Sequence, residues 1–305
     1  MLAKLLRAAL VALVFWASVG FAVCASLGRP GLGALVAALV LCGPMLVLGF
    51  EFLVLLAVRR GDASTPATGF ELLRAWVGEC GWSARVFWWQ QPFRSRRWPD
   101  RLGPPGRRGI VFVHGYVCNR GFWNPWLARC HAEARPFVAV NLEPVFADIE
   151  AYVPALEAAI AAMQQATGLA PVVVAHSMGG LVLRAWRCAT PDSDQRAHRF
   201  VTIGTPHQGT WIARWSRTPN ARAMRRGSDW LGGLLARETE GKTAGRSCFW
   251  GHADNIVMPP STAIWPGAVA HHLRATAHVA MAFQPEVFAE VFGALDEPAP
   301  TARSG

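Results

Sequence analysis

Three residues in the second half of the chain, Ser177, Asp254 and His278, are of the types that together turn a hydroxyl into a nucleophile. A serine hydroxyl attacks poorly at neutral pH unless a neighbouring imidazole takes its proton and a carboxylate orients that imidazole. Ser177 is the fixed point of the set. Residues 171–181 read PVVVAHSMGGL, a valine run that enters Ala175-His176-Ser177-Met178-Gly179-Gly180. This predicts a strand that stops on the serine and restarts as a helix, a turn that lifts Oγ out of the sheet and aims the Met178 N–H at the same space. The turn is tight enough that the residues two before and two after the serine must be nearly free of side chain. Gly179 satisfies this outright, and Ala175 does so with one methyl.

The base and acid follow in chain order, Asp254 lying 77 residues after Ser177 and His278 a further 24. Each is expected just after a strand, Asp254 beyond residues 247–251 and His278 beyond 270–277. Other candidates are less well placed. Asp192 and Asp194 fall in a loop on the helix side, Asp229 in an irregular stretch, and Asp296 after the last helix. His271 and His272 are expected at the start of the final strand, and His252 is two residues from the acid. Upstream, residues 109–113 form a continuous apolar run that ends in His114-Gly115-Tyr116. Gly115 permits a turn there, and the Tyr116 N–H can join that of Met178 in holding a developing oxyanion. His114 reads as a structural hydrogen-bonding residue, with catalytic base as the alternative.

These positions need a scaffold, and the hydropathy pattern supplies one. Strands expected at 109–113, 136–141, 171–176, 199–203, 247–251 and 270–277 alternate with helices at 124–134, 149–166, 180–189 and 286–295. Such alternation marks a doubly wound, mostly parallel sheet whose strands, buried on both faces, read as unbroken apolar runs. Between 211 and 246 the alternation lapses. Tryptophans and leucines mix with arginines there, and the segment reads as a lid over the site or as a helical excursion packed on the domain.

Four motifs in order carry a family resemblance: Val-His-Gly (113–115), Ala-His-Ser-Met-Gly-Gly (175–180), Gly-Thr-Pro-His-Gln-Gly-Thr (204–210) and Ala-Asp-Asn-Ile-Val-Met (253–258), with His278 beyond. Together they resemble the bacterial triacylglycerol lipases and esterases, especially small ones with alanine at the first elbow position. The resemblance spans about 109–295. It implies an α/β-hydrolase fold, a Ser177–Asp254–His278 triad and ester hydrolysis through an acyl-enzyme, with no cofactor. Larger members hold a structural calcium near the acid and base; no carboxylate follows His278 here, so no metal is expected. Acyl transfer or thioester cleavage would use the same residues, and a catalytically dead binding protein is the rival from another class.

The N-terminal 60 residues have no place in that scheme. Residues 5–25 and 32–50 are two apolar runs, each long enough to cross ~30 Å of hydrocarbon as a helix. They predict a transmembrane hairpin preceding the hydrolase domain (109–296), with a cleaved signal peptide as the alternative for the first run. Glu51 interrupts the second run, as either an interfacial residue or a buried acid with a partner. Lys4 and Arg7 at one end and Arg59 and Arg60 at the other place both ends, and the catalytic domain, on the cytoplasmic face of a bacterial inner membrane.

The net charge of +10 is carried almost wholly by arginine, 28 of 30 basic residues, and ten of the basic residues fall in 59–108, where an anionic leaflet would attract them. No nucleic-acid motif accompanies the charge. The connector 61–108 is rich in tryptophan, suited to a bilayer interface or to the core, and its first strands are expected at residues 84–90. Seven scattered cysteines give neither a disulfide framework nor metal spacing. The expected substrate is lipid-like, and residues 297–305 read as a disordered tail.

Overall fold

The structure is a computed structural model that describes residues 1–238 and 245–297. Its centre is a six-stranded, entirely parallel sheet. The strands are β1 (Ile110–Val113), β2 (Phe137–Val140), β3 (Val172–His176), β4 (Arg199–Ile203), β5 (Arg246–Trp250) and β6 (Val269–His272), in spatial order β2-β1-β3-β4-β5-β6. Parallel strands need covered crossovers, and helices lie on both faces. Alternate residues serve two cores. Val111, Val113, Val173 and Ala175 face the helices Val153–Thr167 and Met178–Ala189, while Ile110, Phe112, Val172 and Val174 face Trp123, Trp126 and the closing helix Pro285–Asp296. This is the α/β-hydrolase fold.

The strand order sets where chemistry can occur. From β1 the chain steps outward to β2, then returns to the other side of β1 as β3 and continues through β4 to β6. The loops leaving the carboxyl ends of β1 and β3 therefore diverge, which opens a crevice at this switch point. His114-Gly115-Tyr116 and Ser177 are the residues that follow those two strands.

Two apolar helices precede this body, α1 (Leu2–Ser26) and α2 (Pro30–Val58), packed against each other as an antiparallel hairpin. Both are long and apolar enough to cross a membrane. Gly20 and Gly33 allow the close approach, since a Cβ at Gly33 would lie 2.8 Å from the Phe21 carbonyl oxygen. The last turns of α2 are built into the hydrolase body. Phe52 and Leu55 are buried in a cluster with Ala253, Met258 and Ala277. A third helix, α3 (Gly69–Ser83), returns alongside α2: the Arg59 guanidinium donates to the Ala67 carbonyl at 3.1 Å, and the Trp76 indole N–H to the Met45 carbonyl at 3.2 Å. A capping box starts α3, with the Glu71 N–H donating to Thr68 Oγ1 and the Thr68 N–H to Glu71 Oε2.

Several expectations need correction. Residues 61–108 contain no strand; Ala84–Gln90 continues α3 as a widened helical turn, and only Arg101 makes an isolated antiparallel bridge to Phe137. The buried residues there are Val86 and Gln90, four apart, so the period is helical although the composition favours a strand. The final strand is shorter than expected, and His271 and His272 end it rather than begin it. Ala275, at φ 51°, turns the chain away from strand geometry beyond them. The tail at 298–305 lies outside the described residues. Glu297, just before it, pairs with Arg199.

Because α3 is fixed at its start by this cap, Thr68→Ala should lower stability by about 1 kcal/mol. That corresponds to a fall of about 2–4 °C in the thermal midpoint, and an unchanged midpoint would show that tertiary packing alone sets the start of α3.

Candidate active site

Ser177 stands between β3 and the helix Met178–Ala189 with φ 55° and ψ −128°, a conformation that side chains other than glycine rarely adopt. Its N–H continues the sheet pairing by donating to the Ile203 carbonyl at 2.9 Å. The surroundings leave no room for larger neighbours. A Cβ at Gly115 would lie 2.8 Å from Ser177 Cβ, and one at Gly179 2.6 Å from the Val113 carbonyl oxygen. Gly115 is thus glycine because of close approach rather than turn geometry. Ala175 is fully buried, in register with Val113 on one side and Thr202 on the other, and its methyl belongs to the core.

His278 comes to the serine from six residues beyond β6. Its Nε2 lies 2.9 Å from Ser177 Oγ, and its Nδ1 lies 3.0 Å from Asp254 Oδ2. The carboxylate calls for a proton on Nδ1, which leaves Nε2 bare to accept from the serine. Asp254 is wholly buried, and its other oxygen accepts from the Ile256 and Val257 N–H groups at 2.8 Å each. The Gly204–Thr210 segment braces this acid loop: Thr210 Oγ1 donates to the Ile256 carbonyl and accepts from the Met258 N–H. A Cβ at Gly204, at φ +53°, would lie 3.1 Å from His278 Nδ1.

Burial by itself lowers the proton affinity of His278, but the charge and hydrogen bond of Asp254, followed by the charges of Glu79 and Glu51, reverse this, and its pKa is raised. Sequence reasoning missed Glu79 and Asn255. Glu79, on α3 and 1% exposed, accepts from the Val279 N–H at 2.9 Å and from the Ala280 N–H at 2.9 Å. Burial, partly offset by these two amides, raises the Glu79 pKa to about 7. Asn255, also fully buried, accepts the His278 N–H at 3.2 Å and donates to Glu51 Oε2 at 2.6 Å. Glu51 therefore has a partner. In the sequence Asn255 is one neutral side chain beside Asp254, and no local pattern marks Glu79 as a buried acid.

A cavity of about 230 Å³ opens over the serine, walled by Leu48 and Glu51 of α2, Glu79 and Ser83 of α3, Phe87, Tyr116 and Ile256. None of its lining residues comes from 211–246; of that segment, 239–244 lie outside the described residues. Tyr116 nevertheless touches the segment through its hydroxyl, which is 3.2 Å from Ser216 Oγ and 3.1 Å from Thr218 Oγ1. Met178 is the first residue of its helix, where an N–H has no intrahelical partner. Tyr116 directly follows the glycine packed on Ser177. His114 is buried; it accepts the Leu142 N–H at Nε2 and donates from Nδ1 to the Gly115 carbonyl, and burial lowers its pKa to about 4. It ties the β1 loop to the β2 loop away from the serine. His271 and His272 stack on Phe249 and Trp250.

No protein-family model matches the chain, and no curated protein matches its sequence. Solved structures do. The mature form of the Bacillus licheniformis lipase BlEst2 superposes with a TM-score of 0.54 at 16% identity, covering 65% of this chain and 95% of that one. The propeptide form of the same lipase gives 0.52 at 18% identity, covering 68% and 53%, and Aspergillus fumigatus lipase B gives 0.50 at 19%, covering 56% and 46%. The chain thus spans about half the length of the latter two. At these identities the likeness is one of fold, and it agrees with the sheet order and the turn at Ser177.

The Glu79 carboxylate supports the protonated form of His278, so Glu79→Gln should lower the proton affinity of the imidazole. The acid limb of Ser177 labelling by a serine-reactive phosphonate should then move to lower pH. A limb that stays in place or moves up would show that the Glu79 charge does not reach His278.

Proposed function

We propose that the protein is a membrane-anchored serine hydrolase that cleaves carboxylic esters of lipid-like substrates through an acyl-enzyme. The observation that carries this reading is the continuous line Ser177 Oγ, His278 Nε2, His278 Nδ1, Asp254 Oδ2, with links of 2.9 and 3.0 Å, set at the switch point of an α/β-hydrolase sheet. Ser177 attacks the ester carbonyl while His278 takes its proton; Asp254 holds the imidazolium, and the N–H groups of Met178 and Tyr116 receive the oxyanion. His278 then returns the proton to the departing alcohol. A water activated by the same imidazole releases the acid. The likeness to lipase structures supports the ester chemistry at the level of fold.

The cavity, at about 230 Å³, is below the ~300 Å³ lower bound of sites that enclose a drug-sized ligand. It takes the scissile end of a lipid, and the remaining chain length lies outside. That suits an enzyme whose neighbouring helix surfaces are apolar and exposed, including Leu46, Val47, Phe50 and Leu53 on α2 and Phe70, Leu73 and Val77 on α3. The hairpin serves as the anchor, and the arginine distribution supports a cytoplasmic catalytic domain.

Ser177→Ala should abolish phosphonate labelling and reduce ester turnover by about 10⁴-fold or more; equal labelling of variant and wild type would remove the serine from the mechanism. A panel of glycerolipids, phospholipids and acyl-thioesters should give its highest kcat/KM with oxygen esters, and a preference for thioesters would make the protein a thioesterase. A reporter that works only outside the membrane, fused after Gly305, should be silent, and an active one would reverse the orientation.

A further inference from the structure

The amides at the start of the segment that carries His278 are held by side chains that come from outside the hydrolase sheet. The Val279 and Ala280 N–H groups end on Glu79 of α3. The His278 N–H ends on Asn255 Oδ1, and the Asn255 amide is in turn fixed by a 2.6 Å bond to Glu51 Oε2 on α2. Asn255 is fully buried, so its orientation depends on those two partners. The same turns of α2 are locked in place by Phe52 and Leu55 against Met258 and against Ala253 and Ala277, the residues just before Asp254 and His278.

We propose that Glu51 is a positioning residue of the active site, acting through Asn255 on the backbone of His278, so that the second apolar helix is part of the catalytic apparatus as well as an anchor. This rests on the hydrolase reading. The physical basis is the steep dependence of proton transfer on geometry: a displacement of ~1 Å in a catalytic group can cost about 100-fold in rate. An acid placed in a long apolar helix is costly unless it has a partner and a use. Here the partner is a neutral amide that orients the base, rather than a cation or a second acid. Loss of the acceptor frees the Asn255 side chain to rotate, and the amide of His278 loses its only described partner.

The test uses the full-length chain in phospholipid vesicles, with kcat and KM measured on a short soluble ester and the labelling rate of Ser177 measured with a fluorophosphonate. Glu51→Leu should lower kcat and the labelling rate by about 100-fold with KM changed less than threefold. Glu51→Gln keeps an acceptor for the Asn255 amide and should restore most of the loss. Asn255→Ala should match Glu51→Leu, and the double variant should be no worse than either single, because both break one relay. The proposal is overturned by a Glu51→Leu enzyme that turns over like wild type, by a Glu51→Gln enzyme as impaired as the leucine variant, or by additive losses in the double variant. Should Glu51→Leu fail to fold, Glu51→Ala, which also removes the acceptor, takes its place, and wild-type turnover by that variant overturns the proposal. Failure of the hydrolase reading is distinct: wild type and Ser177→Ala would then label alike, whatever the Glu51 variants do.

Discussion

The backbone at Ser177 is the constraint on which the site depends. A residue other than glycine at φ 55° and ψ −128° costs of order 1–3 kcal/mol and persists only where its surroundings over-determine it. They do so here from three sides. Gly115 lies against the serine Cβ, Gly179 against the end of β1, and the Ser177 amide is bonded to β4. The strain sits at the end of an interior strand paired on both sides, and in return Oγ stands clear of the strand with its helix beginning at the next residue.

Every other part of the site reaches that hydroxyl from a strand end or from the layer above. The loop after β1 supplies the Gly115 approach, the loop after β4 braces the acid, and the loop after β5 carries Asp254. The base arrives beyond β6. The sheet fixes where these loops begin, while the His278 ring is bonded to Asp254 and its backbone segment to Asn255 and to Glu79 of α3. One core therefore holds the strand that ends at Ser177, and another, built around Phe52 and Leu55, takes in Ala253 and Ala277, the residues just before Asp254 and His278.

The sheet and the meeting of Ser177, Asp254 and His278 were legible in the sequence because both depend on local pattern. A valine run ending in Ala-His-Ser-Met-Gly-Gly can be read within eleven residues, and Asp254 and His278 follow it in chain order, each beyond a strand. The strand in 109–113 was equally clear, being apolar throughout, and 199–203 carries apolar Phe200, Val201 and Ile203 beside Arg199 and Thr202. Ala84–Gln90 was not, since aromatic and β-branched residues suit a strand by composition while their burial follows a helical period. Glu79 and Asn255 were hidden for a different reason. Their partners are 200 and 23 residues away in sequence, and no local rule converts an acid on an amphipathic helix into an acceptor for a distant backbone. Glu51 stood between, since its presence in an apolar run was a signal but its use was not.

The hairpin is tied to the catalytic body at both ends. The Met1 amino group pairs with Glu143 at 2.9 Å, a weak exposed contact, while α2 enters the core through Phe52 and Leu55 and α3 folds back along it. Among the described residues, α2 and α3 join the hairpin to the body without a free tether. With the hairpin in a bilayer, on the proposed reading, the serine cannot swing toward or away from the lipid, and its height above the membrane midplane is a fixed number. Such an enzyme would sort its substrates by how deep their ester bond lies, as a ruler does, before any pocket has touched an acyl chain.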